Sequence, residues 1–182
     1  WIPFMFTGCA ICILYSANVI NMAAEGAFFL GGVAASYVAI RFALPAGIHP
    51  VAAILAGGLA GAVVCLIPGW LEMKFDAKAV VSSLMLNYVC LYVGLYIIKF
   101  ILRDPQAGFI ASEKFLPTAA LPKLMSGSNV HAGIFLAVLV IIFSYLYLYR
   151  SKWGYSVRMI GKNPHFAKYS GIGVAWVVVS SQ

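Results

Sequence analysis

The stretch VAAILAGGLAGAVVCLIPGWL, Val51–Leu71, decides what kind of protein this is. It holds no charged side chain from end to end. Wound into a helix at about 1.5 Å per residue, it reaches roughly 30 Å, the thickness of a bilayer's hydrocarbon core. Ala53, Gly57 and Gly61 recur at every fourth position. They therefore fall on one helix face, and such small-xxx-small stripes let two backbones approach closely in lipid. The stretch is expected to be a membrane span packed against a neighbouring helix through that stripe.

Comparable runs stand on both sides of it. Apolar spans are expected over about 4–22, 26–42, 79–102 and 132–149, and a sixth run begins near 174. The run over 26–42 is the shortest and reads as a half-helix or a tightly packed one. Hydrophobic residues make up 63% of the 182 and charged residues only 9%. Mean hydropathy is +0.96. A soluble domain needs more charge than this to cover its surface. The expected fold is all-α, a polytopic transmembrane bundle forming a single domain over 1–182. The first residue is not Met and the last run, VAWVVVSSQ, is still apolar, so the chain is expected to be a fragment of a larger membrane protein.

The net charge is +7. Its positives sit mainly in joints between apolar runs, which points to membrane topology and away from nucleic acid. Arg150, Lys152, Arg158, Lys162 and Lys168 share one segment that contains no acid. By the positive-inside bias that segment, 150–173, is cytoplasmic. Alternation then puts Glu72–Lys78 inside. The Arg41–Pro50 turn and the long segment Arg103–Val130 fall outside, the latter with Arg103, Lys114 and Lys123. Cys9, Cys12, Cys65 and Cys90 all fall in apolar runs and read as packing thiols.

Within the basic segment lies GYSVRMIGKNPHFAKYSGI, Gly154–Ile172. Asn163-Pro164 is a helix start signal, because Asn caps free N–H groups and Pro fits the first turn. Gly171 supplies a residue able to close the other end in the left-handed conformation. The two turns between are too short to be stable alone and need a surface to lie on. An anionic membrane surface and a groove on a partner protein both satisfy that need.

Gly154, Arg158, Gly161, Asn163, Pro164, Ala167, Tyr169 and Gly171 together resemble the cytoplasmic loop of ABC importer permeases of the branched-chain amino acid, simple sugar and nucleoside group. Met159, Ile160, Phe166, Lys168 and Ser170 depart from the approximate family pattern within that loop. AVVSSLMLNYV (79–89) is similar to a segment of the nucleoside-type permeases, and NVINMAAEGAFFLGGVAASY (18–37) to another. The resemblance implies that Arg158, Gly161, Asn163, Pro164, Phe166, Lys168, Tyr169 and Gly171 form a coupling loop seated on a cytoplasmic ATPase subunit. It further implies a second permease subunit, alike or related, and a substrate-binding protein outside. The membrane would be a prokaryotic inner membrane and the cargo a nucleoside or simple sugar. No cofactor is expected in this chain. Its sequence lacks the G-x-x-x-x-G-K-[ST] phosphate loop, so ATP and Mg would be bound by the partner ATPase.

Four polar residues are candidates for the solute path: Asn21, Glu25, Ser83 and Asn87. Asn18 and Asn21 lie seven and four residues before Glu25, nearly on one face if the segment is helical. An acid within the membrane is expensive and faces a cavity or a partner. Glu25 either borders the path at a break between the first two spans or sits solvated in a short turn, capping the second helix. Ser83 and Asn87 are four apart, and either line the path or bond a neighbouring helix. Tyr88, Tyr92 and Tyr96 form a separate stripe, suited to packing, to an interface or to stacking. The outer segment 103–130 is a candidate docking surface or a structureless connection.

An ion-coupled secondary carrier is the alternative within transport, and Glu25 would then carry the coupling charge. That reading leaves the capped basic segment without a purpose. An intramembrane enzyme is disfavoured, because His49, His131 and His165 fall at span ends or in loops and no H-E-x-x-H occurs.

Overall fold

The structure is a computed structural model, and it describes residues 2–42, 45, 47–75, 77–104, 112–116 and 132–182. Regular structure among them is helical, in the order α1 (Ile2–Ser16), α2 (Ala24–Arg41), α3 (Ile48–Phe75), α4 (Ala79–Phe100), α5 (Gly133–Arg150), α6 (Lys152–Lys162), α7 (Pro164–Tyr169) and α8 (Val174–Ser180). One isolated antiparallel bridge pairs Arg103 with Ser112. The protein is an all-α helical membrane protein. Among the described residues three helices, α3, α4 and α5, are long and apolar enough to cross a membrane.

Two of the expected spans differ. The first stops at Ser16, not near residue 22. Asn18 takes a left-handed φ of 56°. The N–H of Val19 then reaches back to Leu14 O at 3.1 Å and that of Asn18 to Tyr15 O at 3.0 Å. This is a Schellman ending, with Asn where Gly is commoner. At 15 residues α1 is short for a span, and α2 carries a charge near each end, Glu25 and Arg41. The third span runs longer than expected, from Ile48 to Phe75, and passes through the fully buried Pro68. Pro68 offers no N–H to the carbonyl four residues back.

The chain divides into two compact units. One comprises 22–67 and 81–121, hence α2 with most of α3 and α4. Its core gathers Ala23, Val64 and Cys90, with Leu30, Cys65 and Leu86 packed on them. The expected small-residue stripe of α3 meets α2. A Cβ on Gly57 would lie 2.9 Å from Gly31 O, and one on Gly31 2.8 Å from Gly57 O. The guanidinium of Arg41 donates to Ile101 O at 3.0 Å and ties the end of α2 to the end of α4.

The other unit comprises 1–21, 68–80 and 122–182. Its core is Ala17, Leu148, Val157, Ile160, Ala167 and Val177. The segment 150–173 holds more helix than expected, since α6 precedes the short α7. Ser151 caps α6, accepting the Gly154 N–H at 3.0 Å. Gly154, Val157 and Ile160 recur every third residue and form its buried face. Of the outer segment only 103–104 and 112–116 are described, so the docking surface expected there otherwise lies outside the described residues.

Candidate functional site

Ser83, Asn87 and Glu25 belong to the α2–α4 unit, while Asn21 belongs to the other. The Asn21 amide donates to Gln182 Oε1 at 2.6 Å. The left-handed turn at Asn18 ends α1, and α2 begins only at Ala24. Asn18, Asn21 and Glu25 therefore do not share a helix face, because no helix connects them.

Ser83 and Asn87 hold the backbone that opens α2. Every helix start leaves N–H groups without partners. Ala23, in the cap position of α2, offers no side-chain acceptor. Asn87 supplies one from α4: its Oδ1 accepts the Gly26 N–H at 3.0 Å and its Nδ2 donates to Met22 O at 2.8 Å. Ser83 Oγ, fully buried, accepts the Met22 N–H at 3.0 Å. Irregular backbone inside an apolar assembly is tolerated only where its polar groups are satisfied this way. Of the two roles expected for Ser83 and Asn87, bonding to a neighbouring helix is the one the hydrogen bonds describe.

Glu25 sits one residue before that latch and is exposed. It opens on a cavity of about 350 Å³ whose walls include Phe28, Phe29, Asn87, Tyr88 and Leu91. Tyr88 of the tyrosine stripe thus reaches the same hollow as Glu25. Spacing alone did not join them, because they stand on different helices.

The basic segment is built as a capped knob. Asn163 Oδ1 accepts the Phe166 N–H at 3.1 Å, and Pro164 occupies the first turn of α7. Gly171 has φ +80°. Ile172 N–H returns to Ala167 O at 3.0 Å and Gly171 N–H to Lys168 O at 3.1 Å, a second Schellman ending. Ala167 is fully buried, whereas Phe166 and Tyr169 are 54% and 92% exposed. Arg158 and Gly161 do not belong to that outer face. The Arg158 guanidinium lies over the Tyr149 ring at 5.1 Å. A Cβ on Gly161 would collide with Ser16 O of α1. Removing the cap with Asn163→Ala is expected to cost about 1 kcal/mol of local stability. Amide exchange of the 165–169 N–H groups, faster by about fivefold, would report it.

The profile of the family described as "Branched-chain amino acid transport system / permease component" matches residues 1–181. The chain belongs to this permease family. It is 30% identical to the guanosine ABC transporter permease protein NupP of Bacillus subtilis, over 98% of this chain and 52% of the relative. It is 29% identical to the glucose ABC transporter permease protein TsgB13 of Haloferax volcanii, over 94% and 48%. The nucleoside ABC transporter permease protein NupB of Lactococcus lactis is 22% identical, over 98% and 52%. The chain spans about half the length of the curated relatives it matches. No solved structure matches it.

Proposed function

We propose that the chain is membrane-spanning machinery of an ATP-driven importer in a prokaryotic inner membrane, carrying a nucleoside or a simple sugar. The observation that carries this reading is α7. It is capped at both ends, anchored by the buried Ala167, and turns Phe166 and Tyr169 outward. A rigid amphipathic knob with large exposed aromatics is the type of element that anchors a partner in a groove. The partner proposed is a cytoplasmic ATPase subunit, which binds ATP and Mg and closes as a pair. A second permease, alike or related, and an outer substrate-binding protein complete the machine. The chain itself performs no covalent chemistry in this reading. Kinship with permeases named for guanosine, nucleosides and glucose supports the cargo class.

Cells expressing the complete permease, its ATPase and its binding protein should accumulate labelled nucleoside or sugar only while ATP is present. Phe166→Ala with Tyr169→Ala is expected to lower that uptake at least tenfold at unchanged membrane abundance, since both side chains are free of the fold's core. Uptake that survives ATP depletion but collapses with the ion gradient would overturn the reading in favour of a secondary carrier.

A further inference from the structure

We infer that the Glu25 cavity is a ribonucleoside site, in which the carboxylate takes the sugar hydroxyls and Phe28 and Tyr88 take the flat face of the base. The inference rests on the importer reading above and narrows it.

Three observations converge on this hollow. The first is its chemistry toward lipid. Glu25 and Tyr88 are both exposed, Tyr88 by 69%. Tyr88 is near the middle of α4, a helix apolar enough to cross a membrane. A carboxylate facing hydrocarbon is strongly disfavoured, and a phenol hydroxyl there would lack a partner. Both groups therefore suit a wet cavity better than a lipid face. The second is size: about 350 Å³ lies within the range of small-molecule sites.

The third is the division of the walls. The two carboxyl oxygens of Glu25 suit a pair of adjacent hydroxyls. Phe28, Phe29, Tyr88 and Leu91 offer apolar and π surface. Asn87, already committed to Gly26 and Met22, keeps one N–H for a base edge or a hydroxyl. A solute with vicinal hydroxyls at one end and a flat heterocycle at the other satisfies both kinds of wall. A free sugar satisfies the acid and leaves the aromatic faces bare. A nucleotide adds a phosphate beside Glu25, in a cavity whose lining residues include no base.

The test is equilibrium binding of guanosine, guanosine monophosphate and ribose to the complete permease–ATPase complex in nanodiscs, without the binding protein. Guanosine should bind at least tenfold more tightly than ribose or the monophosphate. Tyr88→Leu should erase most of that advantage, a loss of about tenfold or more, while Tyr88→Phe keeps it. Glu25→Gln should weaken guanosine and ribose alike and improve the monophosphate. Tyr88 lies outside the packed core, so its variants should assemble normally. Wild-type guanosine affinity in Tyr88→Leu would overturn the site, as would equal binding of guanosine and its monophosphate, or no saturable guanosine binding. ATP-driven uptake is read separately. If uptake needs ATP while Tyr88→Leu binds normally, the site assignment falls and the importer reading stands.

Discussion

Gly154→Ala is expected to abolish transport and to lower the thermal unfolding midpoint of the purified transporter, although alanine is the better helix former. A Cβ at this position would run into Tyr147 O, Leu148 O and Leu148 Cα of α5. All three are backbone atoms, so no rotamer change relieves the clash. The start of α6 must move away from α5. That movement also opens the Ser151 cap, whose Oγ holds the Gly154 N–H and donates to Tyr147 O at 2.6 Å. Overpacking of this kind costs about 1–3 kcal/mol and sometimes more. Gly161→Ala should act the same way through Ser16 O at the end of α1.

The control lies in the same chain. Gly32 in α2 and Gly58 in α3 have nothing within 4 Å of a built Cβ. Gly→Ala there should leave stability unchanged or raise it by roughly 0.5–1 kcal/mol, the ordinary helix gain. Thermal unfolding of the four variants in nanodiscs checks the contrast. A Gly154→Ala protein as stable as the wild type would mean that α6 is not seated on α5 as described.

This contrast also shows what a sequence can carry. The three long helices α3, α4 and α5 were legible because apolar length is a local property, and the Ala53-Gly57-Gly61 stripe was legible because four-residue spacing is too. Asn163-Pro164 and Gly171 were legible as caps for the same reason. The left-handed turn at Asn18 was not, since Asn followed by Val and Ile reads as a continuing helix until the backbone is seen. Helix α6 was missed because its charges suggested a loop. Ser151 as a cap, with Gly154, Val157 and Ile160 three apart behind it, was the signal available. The role of Ser83 and Asn87 could not be read at all. Their partners at Met22 and Gly26 lie 61 or more positions away, and no local pattern encodes that distance.

That long-range latch gives the second large effect. Asn87→Leu keeps the apolar volume of α4 but removes both bonds at once, leaving the Gly26 N–H and Met22 O without the amide. The Gly26 N–H belongs to a buried residue, and a buried polar group that loses its partner costs about 1–3 kcal/mol; Met22 is exposed, so its carbonyl adds less. Because the lost bonds cap α2, the damage should appear as fraying of its first turn and loss of the Glu25 cavity, not as general unfolding. Gly26→Ala should reproduce the defect from the other side, since a Cβ there would stand 2.8 Å from Asn87 Oδ1 and push the amide off its partners. The two substitutions break one interaction, so the double variant should be scarcely worse than either alone. Amide exchange at Glu25–Ala27 and transport measured in the same preparations form the test. Additive losses would show that Asn87 and Gly26 act independently, and the latch between α2 and α4 would have to be abandoned.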